Sequence, residues 1–141
     1  MYSFPEWGCP TAKDGFLEVL KTGKIIEVIR IPKGSLSISF GRLHENDVVL
    51  DHESISRYHA VLQFGPRNSA FIFDLKSTHG SFMNKEYLPS NQYIKISSGN
   101  DILSFGGSSR KYILYLAEDA NEMPILDKSE LRIENASIQQ F

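Results

Sequence analysis

The chain has 141 residues, a net charge of −2, 41% hydrophobic and 11% aromatic content, and one cysteine, Cys9. That length suits one domain with its own core and a short appendage. Near-neutral charge argues against a broad surface for nucleic acid, and a lone thiol can form neither an internal disulfide nor a multi-thiolate zinc site, which suits a reducing compartment, nuclear or cytoplasmic.

Residues 1–14 carry Pro5, Trp7-Gly8 and Pro10 and no apolar centre of the kind a signal peptide needs. They read as an N-terminal arm that either packs on the domain or stays disordered. From residue 15 to 117, short β-like runs are broken by turn residues every ~8–12 positions, the texture of an all-β sandwich or barrel. Residues 16–20 form the first run, Lys21-Thr22-Gly23-Lys24 reads as a hairpin turn, and residues 25–31 return. After Pro32-Lys33-Gly34, residues 35–40 alternate Leu36, Ile38 and Phe40 with serines, a half-buried strand pattern. Val48-Val49-Leu50 is a short apolar run. Residues 59–64 and 70–75 flank Gly65-Pro66-Arg67-Asn68, the clearest hairpin in the chain. Residues 81–83 and 86–88 sit either side of a tight turn at Asn84-Lys85, and residues 93–96, 101–105 and 111–116 complete ten or eleven strands. No stretch before residue 117 has helical periodicity, and no apolar run approaches the ~18 residues of a membrane span, so no membrane contact is expected. Residues 118–141 hold six acidic against two basic residues. They read as an acidic tail or linker, or as a short docking helix.

Three polar segments lie between these runs: Gly41-Arg42, Ser56-Arg57-Tyr58-His59 and Ser77-Thr78-His79-Gly80. If the runs belong to one sandwich, these loops can gather at one of its ends. Guanidinium forks suit phosphate oxygens, and hydroxyls can donate to those that remain. Gly41 allows another group to come close, leaving Arg42 free to project from the rim. His59, entering a strand, reads as a buried imidazole tying two loops through their backbones rather than as a ligand contact.

Together these segments resemble the forkhead-associated (FHA) domain family: Gly41-Arg42, then Ser56-x-x-His59, then Ser77-Thr78-His79-Gly80 before a short strand ending in Asn84. The resemblance covers residues 15–117. It implies an eleven-stranded FHA-type β-sandwich that binds a phosphothreonine-containing protein or peptide through loops at one end. It also implies roles for single residues. Arg42 and Ser56 would hold the phosphate, Arg57 would add a further contact, and Thr78 would border the phosphate and the threonine methyl. Gly41, His59, Gly80 and Asn84 would support the site. His79 stands where the family more often has Asn, whose amide grips the peptide main chain; a neutral imidazole still offers one donor and one acceptor. Lys76, the Arg67-Asn68 turn and residues 104–109 are candidates for reading the residues around the phosphothreonine. The resemblance further suggests a nuclear setting connected with RNA processing.

Other chemistries fit less well. Ser56 and His59, with Asp51 or Asp74, could be imagined as a triad, but the chain lacks a Gly-x-Ser-x-Gly elbow. No enzymatic activity is expected. His44, His52, His59 and His79 lack paired ligand spacing, so no metal and no cofactor is expected. A monomer is expected. The competing reading is a phosphate-independent interaction domain that binds through a sheet face.

Overall fold

The structure, a computed structural model, describes residues 2–117. The acidic segment 118–141 lies outside the described residues. Eleven strands run in order: β1 (Gly15–Lys21), β2 (Lys24–Ile31), β3 (Ser37–Gly41), β4 (Val48–Val49), β5 (Ala60–Gly65), β6 (Ser69–Asp74), β7 (Ser81–Met83), β8 (Glu86–Tyr87), β9 (Tyr93–Lys95), β10 (Ile102–Phe105) and β11 (Lys111–Leu116). They form a six-stranded sheet, β2-β1-β11-β10-β7-β8, and a five-stranded sheet, β4-β3-β5-β6-β9. The all-β sandwich with eleven strands expected from the sequence is therefore present. All named pairings are antiparallel except β3 with the two-residue β4. Among the described residues no helix is long and apolar enough to cross a membrane.

Turn chemistry fixes the hairpins. Thr22 and Gly23 have φ of 49° and 80°, and Asn84 and Lys85 have 55° and 71°. Two consecutive left-handed residues make the turn whose twist matches that of antiparallel strands. Between β5 and β6, Arg67 and Asn68 also adopt positive φ, 56° and 58°. The Asn68 side chain accepts from the Ala12 N–H at 2.9 Å and donates to the Ala117 carbonyl, stitching both ends of the domain together.

Alternating residues from both sheets fill the core. Leu17 and Val19 of β1, Phe40 of β3, Leu62 and Phe64 of β5, Ile72 of β6 and Leu103, Phe105, Tyr112 and Leu114 of β10 and β11 are buried. Phe40 stacks on Phe105 across the sandwich with ring centres 4.8 Å apart. Removing such a ring leaves a cavity and costs about 3–5 kcal/mol. β5 is buried along its whole length, on both faces. The cause is the N-terminal arm, which packs over the outer face of the five-stranded sheet. Trp7 meets Phe71 and Tyr93 edge-on, each at 4.8 Å. The Tyr2 hydroxyl donates to Gln63 Oε1 at 2.6 Å and shares a bond with the Tyr93 hydroxyl at 2.8 Å.

Candidate functional site

The β3–β4, β4–β5, β6–β7 and β10–β11 loops meet at one end of the sandwich. Backbone bonds zip the first two together. The Arg42 N–H donates to the Ser56 carbonyl at 3.0 Å, the Leu43 N–H to the Arg57 carbonyl at 3.3 Å, and the Leu50 N–H to the Gly41 carbonyl at 2.8 Å. A Cβ on Gly41 would stand 2.2 Å from the Arg57 carbonyl oxygen and 2.6 Å from Asn46 Nδ2, so only glycine permits this approach. Asn46 is buried, and its amide donates to the Leu43 and Arg57 carbonyls, both at 2.9 Å. Nothing in its sequence context marks this buried brace.

Arg42 is exposed, and its Nε donates to the Ile55 carbonyl at 3.0 Å. That bond orients the guanidinium while leaving its two terminal nitrogens for a ligand. Ser56 is half-buried beside it. The Thr78 N–H donates to Ser56 Oγ at 3.1 Å, which joins the second loop to the third. The Ser56 hydroxyl thereby accepts with a lone pair and keeps its hydrogen to donate. Arg42, Ser56 and Thr78 are thus brought to one place. Arg57 and His79 are exposed on the same two loops. Among the described residues neither Arg42 nor Arg57 takes part in an ion pair.

Beneath the rim lies a buried polar frame. His59 has no exposed surface. Its Nδ1 accepts from the Ser56 N–H at 3.1 Å, so Nε2 carries the proton and donates to the Gly80 carbonyl at 2.8 Å. Burial pushes its pKa below the ordinary histidine value; the Gly80 carbonyl and the Asp74 carboxylate, 4.0 Å away, oppose that push without reversing it. Asp74 is buried too, which by itself raises a carboxyl pKa. The Ser81 and Ser77 hydroxyls at 2.6 and 2.7 Å, the Ser77 N–H at 3.0 Å and the Ser90 hydroxyl at 3.1 Å outweigh that effect and hold it below the usual carboxylate range. Asp74 is therefore an ionised post around which the β6–β7 loop winds. Sequence reasoning considered it only as a triad member; the Asp-x-x-Ser spacing, a common side-chain-capped turn, is the signal that marks it. No Ser-His nucleophile pair forms, because it is the Ser56 N–H and not its hydroxyl that meets His59.

Gly80 has φ of +87°, and a Cβ there would lie 2.3 Å from the Tyr87 ring. Its carbonyl also accepts from the Gly106 N–H at 2.8 Å, and the Gly107 N–H donates to Ser54 Oγ at 2.7 Å, docking the β10–β11 loop on the site. Asn84 serves elsewhere: its side chain bonds Asp101 and the Ile102 N–H, both at 2.9 Å, pinning the β7–β8 turn to β10. The Arg67-Asn68 turn lies at the opposite end of the sheet. β5 leaves the site at Ala60 and ends at Gly65, and six strand residues span roughly 20 Å. That turn therefore cannot read residues beside a ligand held by Arg42. Residues 104–109 and Lys76 remain at the site end.

Residues 38–106 match the FHA domain family model. The chain is 39% identical to human kanadaptin over 145 residues, covering 93% of this chain and 19% of that protein. It is 35% identical to the human nuclear inhibitor of protein phosphatase 1 over 118 residues, covering 81% of this chain and 32% of that one. The chain thus spans less than a third of the length of either. Among solved structures, the yeast Pml1 splicing factor superposes with a TM-score of 0.71 at 18% identity, over 84% of this chain and 98% of that one. Mycobacterium tuberculosis EmbR, determined with a low-affinity phosphopeptide, superposes with a TM-score of 0.59 at 24% identity, over 75% of this chain and 25% of that one. Both likenesses concern the fold. The chain belongs to the forkhead-associated domain family, whose members are interaction modules that generally bind phosphorylated peptides.

Proposed function

We propose that this domain is a non-enzymatic reader of phosphothreonine that recruits a phosphorylated protein, acting as a monomer. One observation supports it most: the Thr78 N–H to Ser56 Oγ bond at 3.1 Å, beside an Arg42 whose Nε is already anchored on Ile55, gathers three residues distant in sequence into one donor-rich rim. A phosphothreonine brings a charge of about −1.5 to −2 and three acceptor oxygens. The Arg42 terminal nitrogens and the Ser56 hydroxyl donate to those oxygens, Arg57 adds a second cation, and the Thr78 side chain borders the ester and its methyl. His79 grips the peptide main chain. Gly41, His59 and Gly80 hold the loops, and Asn84 steadies the strand that follows them. The name of one relative, a nuclear inhibitor of protein phosphatase 1, supports a nuclear role.

The test is a titration of wild-type and Arg42→Ala proteins with a phosphothreonine peptide selected from a library and with its unphosphorylated form. Wild type binds the phosphorylated peptide alone; Arg42→Ala loses at least about 100-fold in affinity with an unchanged melting temperature, as expected when a charged double hydrogen bond is removed. Equal binding of the two peptides would transfer the function to the phosphate-independent reading.

A further inference from the structure

Next to the phosphate loops, on the outer face of the five-stranded sheet, lies a groove of about 1050 Å³. Its floor is Val61 of β5, Phe73 of β6 and Tyr93 of β9; Phe4 of the arm and Tyr58 form walls, and Glu45 stands on the rim. The volume is that of a small-ligand pocket or larger. The groove is built in advance. Tyr2 wedges edge-on against Phe73 at 5.5 Å, and its hydroxyl is bonded to Gln63 and Tyr93. Such a fixed wall needs no ordering when a guest enters. Yet Phe4 and Tyr58 remain 56% and 53% exposed.

We infer that this groove takes a bulky apolar side chain of the same phosphorylated partner, with a lysine or arginine beside it that meets Glu45. The inference rests on the phosphothreonine reading and adds a second, phosphate-independent anchor to it. Continuity argues for one shared partner. Tyr58 follows Arg57 directly, and Leu75 and Lys76, which line the groove, precede Thr78 by three and two residues. A peptide leaving the phosphate rim over those loops passes into the groove. Charge argues for the basic neighbour. Glu45 is met only by the Tyr58 hydroxyl at 3.4 Å and by no cation among the described residues. The nearby Asp47 is already occupied by the Ser39 N–H and hydroxyl.

The test is an oriented library of phosphothreonine peptides, randomised on both sides, screened against wild type, Phe4→Ser, Tyr58→Ser and Glu45→Lys. All three positions are exposed, so the variants fold. Wild type selects an aromatic or large aliphatic residue at one position with Lys or Arg adjacent. Replacing that apolar residue by Ser weakens binding roughly tenfold or more, the worth of burying such a side chain. The same replacement changes binding to Phe4→Ser and Tyr58→Ser by less than about twofold, and Glu45→Lys exchanges the basic preference for an acidic one. Selection of phosphothreonine with no apolar preference, or a preference untouched by the variants, overturns the groove and leaves the phosphate reading standing. So does a wild-type dimer that Phe4→Ser dissociates, since a second copy would then be the occupant. A library that enriches no phosphothreonine sinks both readings together.

Discussion

His59 donates from Nε2 to the Gly80 carbonyl at 2.8 Å while its Nδ1 accepts the Ser56 N–H, so one buried ring spans the two loops that carry Ser56 and Thr78. Only the neutral ring can do both. A protonated imidazole has no acceptor, and the Ser56 N–H would then face a second N–H.

Stability should accordingly fall on acidification through the histidine range. Burial lowers the His59 pKa in the folded state, so the unfolded chain takes up the proton first. The stabilisation is whole above the unfolded value of about 6.5 and declines as the pH drops below it. Chemical denaturation from pH 8 to 5 should show a decline that His59→Gln reduces. A wild-type profile flat across that window, or one identical in slope to the variant, would refute the assignment. Asp74 acts in a separate window: its folded pKa is also lowered, so its contribution stands above about pH 4 and is lost below it.

Asp74→Ala should be among the most damaging single changes. It leaves three serine hydroxyls and the Ser77 N–H without their acceptor inside the protein. Each unpaired buried group costs about 1–3 kcal/mol, and partial relaxation should bring the total to roughly 3 kcal/mol or more. Ser81→Ala removes a single donor and should cost about 1 kcal/mol. Urea midpoints compare the two directly. Amide exchange should also quicken at Ser77 and Gly80, the backbone groups that this post organises.

Much of the sandwich was legible because strands buried on one face advertise themselves. β1, β6 and β11 alternate buried and more exposed residues, and Gly23 and Asn84 in the two hairpin turns are residue types suited to positive φ. The rim residues were legible through their order and spacing. The frame beneath them was not. Asn46 and Asp74 are polar residues near turns, and that context ordinarily means solvent; their burial arises only when loops far apart in sequence close over them. The burial of Val61 and Gln63 has the same kind of cause. They sit on the outer face of β5, and only the arm, with Trp7 and Tyr2, covers that face. Local pattern carries no record of such coverage, and the groove beside it was equally invisible.

Ser56→Ala and Arg42→Lys should separate the parts of the proposed phosphate grip. The first removes a hydroxyl donor together with the acceptor of the Thr78 N–H. It should weaken phosphopeptide binding about 10- to 30-fold, the worth of one charge-assisted hydrogen bond plus some loosening of the third loop. The second keeps the charge but loses both the fork and the Nε bond to Ile55. It should retain more affinity than Arg42→Ala yet fall well short of wild type. Calorimetric titration with one phosphothreonine peptide ranks all three; Arg42→Lys matching wild type would mean that charge alone is read.

Gly41→Ala and Gly80→Ala should fail for different reasons, and a second substitution can tell them apart. At Gly80 the strain has two sources: φ of +87°, which costs an L residue about 1–2 kcal/mol, and a Cβ only 2.3 Å from the Tyr87 ring. Tyr87 is exposed, so its side chain can swing away or be cut back. Tyr87→Ala in the Gly80→Ala background should therefore relieve the clash and leave the φ strain. At Gly41 the obstacle is the Arg57 backbone carbonyl, 2.2 Å from the added Cβ. No side-chain truncation removes a carbonyl. Asn46→Ala would clear the second contact there, but it also takes away the amide that holds the two loops together. Gly41→Ala should thus part the first loop from the second, lower the melting temperature and abolish phosphopeptide binding, and Asn46→Ala should worsen it. Thermal melts of the four variants decide the matter: rescue of Gly41→Ala by Asn46→Ala would show that the side chain, and not the backbone, sets the close approach on which Arg42 depends.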